Sequence, residues 1–165
     1  MNETTNKIRL VYMDIDGTLT DGRVSIDMKG NEYIHFSKLD GFGIELLKEK
    51  GIKIVWATRE KEVMAVRTRA KKLQIDYFIF NEKDKLAALQ KLCKRLNLSI
   101  NEVAAIGDDV NDLEVLETVA LKACPADAQD RIKSIPNMQI LKKTGGNGAV
   151  REFIDNFLLK GVTFL

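Results

Sequence analysis

One alternation constrains this chain more than any other feature. A short apolar run ends in polar or acidic residues, and a stretch with helical periodicity follows. Residues 8–13 (IRLVYM), 52–57 (IKIVWA), 77–80 (YFIF), 103–106 (VAAI), 119–123 and 138–141 read as strands. Between them, residues 60–73, 84–96, 112–118 and 127–132 carry helical spacing, and 148–159 closes the chain. Leu86, Leu89, Leu92 and Leu96 share one face of the 84–96 helix. Asp40 is expected to cap a helix through Ile44, Leu46 and Leu47 that Gly51 ends. Strands buried on both faces and alternating with helices predict an α/β fold, a three-layer sandwich around a parallel sheet. One segment departs from the pattern: residues 24–36 alternate around Lys29-Gly30-Asn31, which predicts a protruding β-hairpin.

A chain of 165 residues without internal repeats or a Pro- or Ser-rich linker is one domain, spanning 1–165. Its hairpin covers about residues 23–37 and its tail about 144–165. Basic residues number 26 and acidic residues 24, so net charge offers no reason to expect nucleic acid. No apolar run reaches the roughly 20 residues of a membrane span, and the first six residues are polar. The expected location is cytoplasmic, where Cys93 and Cys124 are packing thiols rather than a disulfide.

In a parallel sheet the ligand site lies at the carboxyl ends of the strands. Strand one ends in Asp14-Ile15-Asp16-Gly17-Thr18-Leu19-Thr20, and the second long strand ends in Thr58-Arg59-Glu60. Lys85 opens a helix, and Gly107-Asp108-Asp109 with Asp112 follows the strand at 103–106. Carboxylates gathered at one edge repel one another unless a cation holds them. Oxygen ligands without His or thiolate favour Mg²⁺. A phosphate monoester and an attacking aspartate are both anions, so their approach needs the positive charge of Mg²⁺ and Lys85. Thr58 and backbone N–H groups near Gly17 are placed to take further phosphoryl oxygens. Of two carboxylates two residues apart, one can attack phosphorus and the other can serve as acid and base.

These residues, in this order, resemble the four motifs of the haloacid dehalogenase (HAD) superfamily. The resemblance implies a HAD-type, Rossmann-like fold with Asp14 as nucleophile and Asp16 as acid/base. It implies Mg²⁺ held by Asp14, the Asp16 backbone carbonyl and Asp108. Asp109 would support the metal through water or orient Lys85, and Asp112 would stand behind the site. No stretch is long enough for the cap domain common in that superfamily. Thr20-Asp21-Gly22, Phe36, Asp40-Gly41-Phe42-Gly43, Arg69, Leu73, Asp84-Lys85 and Gly145-Gly146-Asn147-Gly148-Ala149-Val150-Arg151-Glu152 resemble a capless branch. That branch comprises the 3-deoxy-D-manno-octulosonate (KDO) 8-phosphate phosphatases and relatives acting on nine-carbon sugar-acid 9-phosphates such as KDN 9-phosphate. It implies a phosphorylated sugar acid as substrate and a homotetramer whose hairpins form a central barrel.

The resemblance implies substrate contacts from Thr20, Gly41, Glu60, Arg69 and Lys72; Arg69 and Lys72, three residues apart, share one helix face. The branch commonly has Gly after the Thr of its second motif, where this chain has Arg59. Glu60 in the third position leans toward the nine-carbon acids. Arg151 can be a helix-surface charge, and His35 a barrel or interface residue. Two other readings compete. A phosphorelay receiver would carry its acceptor Asp on the third strand, which here ends in Asn81. A non-catalytic HAD-like module could assist assembly beside a sugar-acid cytidylyltransferase, but the chemical residues are all present.

Overall fold

The computed structural model describes residues 8–61 and 64–159. Strands β1 (Leu10–Asp14), β4 (Lys53–Ala57), β5 (Tyr77–Ile79), β6 (Val103–Ile106), β7 (Leu121–Cys124) and β8 (Gln139–Ile140) form one sheet ordered β5-β4-β1-β6-β7-β8. Every pairing in it is parallel, as the largely apolar central strands predict. Strands β2 (Ser25–Ile26) and β3 (Glu32–Tyr33) form the separate antiparallel hairpin. The helices are α1 (Lys38–Glu49), α2 (Met64–Leu73), α3 (Lys85–Leu96), α4 (Leu113–Thr118), α5 (Asp130–Lys133) and α6 (Ala149–Phe153). A wider turn over Ile154–Leu158 prolongs α6.

The two-residue period of a strand divides the core between the sheet's faces. Val11, Met13, Ile54, Trp56, Ala104 and Ile106 point to one side, where they meet α1, α2 and α6. Leu10, Tyr12, Val55, Ala57, Val103 and Ala105 point to the other, against α3, α4 and α5. Cys93 and Cys124 are buried in that second layer. Burial pushes the Cys124 thiol up to about 11, so it is an inert packing group.

Chain direction across the sheet reverses at β1. From β1 the chain passes through α1 to β4 and α2 to β5, then crosses with α3 to β6 on the opposite flank. The carboxyl end of β1 is therefore the switch point, where an open parallel sheet leaves a crevice.

Several element boundaries differ from the sequence reading. Ser37, not Asp40, caps α1, its hydroxyl accepting from Leu39 N and Asp40 N at 3.1 and 3.4 Å. Glu60 and Lys61 lie outside helix, and α2 begins at Met64. Between Asp27 and Asn31 the hairpin turns through three residues, and the Asp27 carboxylate accepts from Lys29 N and Asn31 N. Ile34 and Phe36 pack on the main core, with Phe36 stacked on Trp56 at 5.8 Å.

Candidate active site

The loop after β1 carries the first motif. Asp14 closes the strand with its side chain buried. The next residues form a wide turn closed by Thr20 N donating to Ile15 O at 3.0 Å. Gly17 stands at φ 92°, a conformation that costs glycine little, and a Cβ there would lie 2.2 Å from Asp108 Oδ2. Thr18 donates its hydroxyl to Asp108 Oδ1 at 3.0 Å, tying the loop to the end of β6.

Lys85 is the hub of the site. Asp84 caps α3 by accepting from Ala87 N, which places Lys85 at the helix's first position and directs it inward. Its ammonium, with the side chain only 1% exposed, donates to Asp14 Oδ1 at 2.5 Å and to Asp112 Oδ1 at 2.8 Å. A longer bond of 3.3 Å reaches Asn111 Oδ1. Asp112 also accepts from the Tyr12 hydroxyl at 2.9 Å. Burial and then Asp112 push the Tyr12 phenol well above its ordinary range, so it remains a neutral donor.

Oxygens of Asp14, Asp108 and Asp112 lie within 4.8 Å of one another. Three carboxylates face a single ammonium, and burial raises the pKa of each. For Asp14, the neighbouring Asp112 adds to burial, and Lys85 opposes both. Asp108 is pushed up to about 6, by burial first and by Asp112 and Asp109 next, against the Thr18 hydrogen bond. Burial alone would lower Lys85, but Asp14 and Asp112 outweigh it and hold the amine protonated. One buried oxygen of the cluster, Asp112 Oδ2, has no hydrogen-bond partner. An excess of buried negative charge on oxygen donors fits a hard divalent cation, and Mg²⁺ fits this set.

Asp16 points elsewhere. It is exposed, and its Oδ2 accepts from the Thr58 hydroxyl at 2.7 Å. Thr58 Oγ in turn accepts from Glu60 N at 3.0 Å. Asp14 ends β1 and Asp16 lies in the turn beyond it, so the two carboxylates diverge, one toward the buried charge and one toward solvent and Thr58.

The remaining candidate residues occupy different surroundings. Asp109 accepts from Val110 N at 2.6 Å, while Asn111 and Asp112 make the contacts with Lys85. Asp109 Oδ1 caps its own turn, and its hydrogen bonds among the described residues do not include Lys85. Thr20 is 1% exposed, and its hydroxyl donates to Ile15 O and accepts from Gly17 N and Gly22 N. That hydroxyl shapes the loop. Gly41 is buried beneath Arg69, where a Cβ would stand 2.3 Å from Arg69 Nη2. Arg69 donates that nitrogen to Ser37 O at 3.2 Å, and its buried Nε has no partner. Glu60 and Lys72 are exposed. Sequence reasoning missed Tyr12, Thr18 and Asn111. Thr18 sits inside the first motif, but nothing local to Tyr12 marks a contact 100 positions away.

Residues 61–154, more than half the chain, match the family of haloacid dehalogenase-like hydrolases. The chain is 35% identical over 153 residues to the 3-deoxy-D-manno-octulosonate 8-phosphate phosphatase KdsC of Escherichia coli K12. That match spans 92% of this chain and 80% of the relative. A Moraxella catarrhalis KDO 8-phosphate phosphatase, solved with magnesium, phosphate and KDO, superposes with a TM-score of 0.86 at 36% identity. The superposition covers 93% of this chain and 89% of that one. The Yersinia pestis phosphatase gives a TM-score of 0.89 at 32% identity, covering 95% and 83%. With the acidic switch-point site, these likenesses show that the chain belongs to the haloacid dehalogenase-like hydrolases, in the family of the KDO 8-phosphate phosphatases.

Proposed function

We propose that this protein is a Mg²⁺-dependent phosphatase that hydrolyses the phosphate monoester of a 2-keto-3-deoxy sugar acid through an aspartyl-phosphate intermediate. One observation carries the reading: Lys85 bridges Asp14 and Asp112 inside an acidic cluster at the sheet's switch point. The KDO 8-phosphate phosphatases that the chain resembles support the substrate class.

Asp14 and Asp108 would hold Mg²⁺ together with the Asp16 backbone carbonyl, and Asp112 adds charge from beneath. Bound there, Mg²⁺ would supply positive charge to the phosphoryl oxygens near Asp14. Lys85 grips Asp14 Oδ1, which leaves Oδ2 for in-line attack on phosphorus. The bond from phosphorus to the sugar oxygen breaks as the new P–O bond to Asp14 forms, and Asp16 gives its proton to the departing oxygen. Asp16 then takes a proton from water, the water oxygen bonds to phosphorus, and Asp14 is released. Thr58 holds Asp16 during both transfers.

Substrate selection falls to the α2 side. Arg69, Lys72 and Glu60 are proposed to face the sugar acid, and Glu60 favours the nine-carbon acids over KDO. The proposed assembly is a homotetramer in which a neighbour closes the site.

The test is phosphate release from KDO 8-phosphate and KDN 9-phosphate with Mg²⁺, with and without EDTA. The expected result is turnover of one substrate at least about tenfold better than the other, lost with EDTA and in Asp14→Asn. Asp14→Asn hydrolysing at the parent rate would refute the nucleophile. A folded, Mg²⁺-binding protein that turns over neither substrate would favour the assembly-module reading.

A further inference from the structure

The Asp14–Thr20 loop is held from behind by the loop that leads into α6. Helix α6 begins at Gly148, which stands at φ 99° and has no side chain to cap the helix. The missing acceptor comes from α1: Asp40 Oδ1 takes the Arg151 N–H at 2.8 Å, across 111 positions of sequence. Asp40 is 1% exposed, and its other oxygen is buried without a partner. Burial pushes its carboxyl up to about 6 against the Arg151 N–H, the Gly148 backbone and the Arg151 and Arg69 charges. A buried group that costs stability is expected where position matters more than stability.

The loop immediately before α6 lies directly on the catalytic loop. Gly146 N donates to Thr18 O at 3.0 Å. A Cβ on Gly145 would fall 1.8 Å from Gly17 O, and one on Gly146 would fall 2.5 Å from Asp21 N. Backbone thus rests on backbone, with no side chain between them to absorb a shift. The Thr18 hydroxyl then passes the placement to Asp108.

We infer that Asp40 is a positioning residue for the phosphatase reaction: by capping α6 it seats the Gly145–Gly148 loop, which fixes the backbone of the Asp14–Thr20 loop at the phosphoryl site. The inference rests on the phosphatase reading for its effect on rate, but its structural half can be measured without turnover.

The experiment compares Asp40→Ala, Asp40→Asn and Gly146→Ala with the parent. It follows hydrolysis of p-nitrophenyl phosphate with Mg²⁺ and amide hydrogen exchange of residues 15–21. Asp40→Ala should lower kcat about tenfold or more with KM changed less than about threefold, because the loss falls on transition-state placement. Its 15–21 amides should exchange faster while those of β1 and β4 keep their protection. Asp40→Asn keeps an oxygen for the Arg151 N–H and should retain at least about a third of the parent kcat. Gly146→Ala disturbs the same seat from the other side and should reproduce both changes, which preserves the test if Asp40→Ala does not fold. A lowered Tm with kcat per folded molecule and loop exchange at parent values would overturn the inference. So would Asp40→Asn behaving as Asp40→Ala. A parent without phosphatase activity would refute the phosphatase reading instead, and the exchange comparison would still decide the role of Asp40.

Discussion

At the scale of single residues, the ordinary and the elevated pKa of Asp40 bracket a window in which stability must change. Its carboxyl is pushed from 3.8 to about 6 on folding, burial being the largest cause. Between those values the folded chain keeps a proton that the unfolded chain has lost. Stability therefore falls as pH rises through the window and is level above it, by an amount on the order of 2–3 kcal/mol. The charges facing Asp40 are Arg151 from α6 and Arg69 from α2, both cationic throughout. Asp40→Asn removes the titration. Its Tm relative to the parent should rise by roughly 4–8 °C between pH 4 and pH 7. A pH-independent difference in Tm would refute the elevated pKa. This residue also marks where sequence reading stops. Asp40 three positions after Ser37 looks like a cap, but Ser37 already supplies that cap, and the partner of Asp40 lies 111 positions away. Asp14, Asp16, Lys85 and Asp108 were legible because their chemistry and spacing are local to strand ends. The Tyr12–Asp112 bond and the burial of Thr20 were not, because each depends on what the fold stacks behind the motif.

At the scale of elements, the loop from Asp14 to Thr20 is the narrowest joint. Gly17 brings it against Asp108 with no room for a methyl group. Gly17→Ala would place a left-handed, non-glycine residue there and drive Asp108 from the cluster. The expected outcome is loss of about a hundredfold or more in Mg²⁺-dependent kcat/KM. The rise in Tm that Mg²⁺ gives the parent should also disappear, by linkage of binding to folding. A variant keeping both would show that Gly17 is no more than a turn residue. The order and type of elements were readable because the central strands β1, β4 and β6 are largely apolar runs and each long helix has a clear stripe. Ends were less so. Helical spacing in the sequence runs from residue 60, but the Thr58 hydroxyl accepts from Glu60 N in a local turn, and Glu60 and Lys61 lie outside helix. Strand β8 at the sheet edge has one neighbour and shortens to Gln139–Ile140.

At the scale of the whole molecule, the hairpin is the part a single chain leaves unfinished. Its root is anchored, since Ile34 and Phe36 pack on the core. Its arms are not: Ile26 is 67% exposed and Met28 fully exposed, with Val24 and Tyr33 more than half exposed. A two-stranded ribbon with bare apolar side chains is marginal alone, and in the proposed tetramer it would pair with other copies. Burying the exposed part of one Ile is worth about 1–2 kcal/mol, and cyclic assembly multiplies that contact by the number of copies. The proposed homotetramer should sediment at about four times the chain mass of 18.6 kDa. Ile26→Asp with Met28→Lys changes only exposed side chains, so the monomer's fold should persist while the assembly dissociates. If a neighbour closes the site, the dissociated protein should lose about tenfold or more in kcat/KM for the sugar-acid phosphate and keep its hydrolysis of p-nitrophenyl phosphate. That split distinguishes loss of the neighbour from damage to Asp14 or Lys85, which would depress both substrates together. A parent that sediments as a monomer and already prefers the sugar acid would refute the role assigned to the hairpin. The discrimination would then have to come from Arg69, Lys72 and Glu60 within one chain.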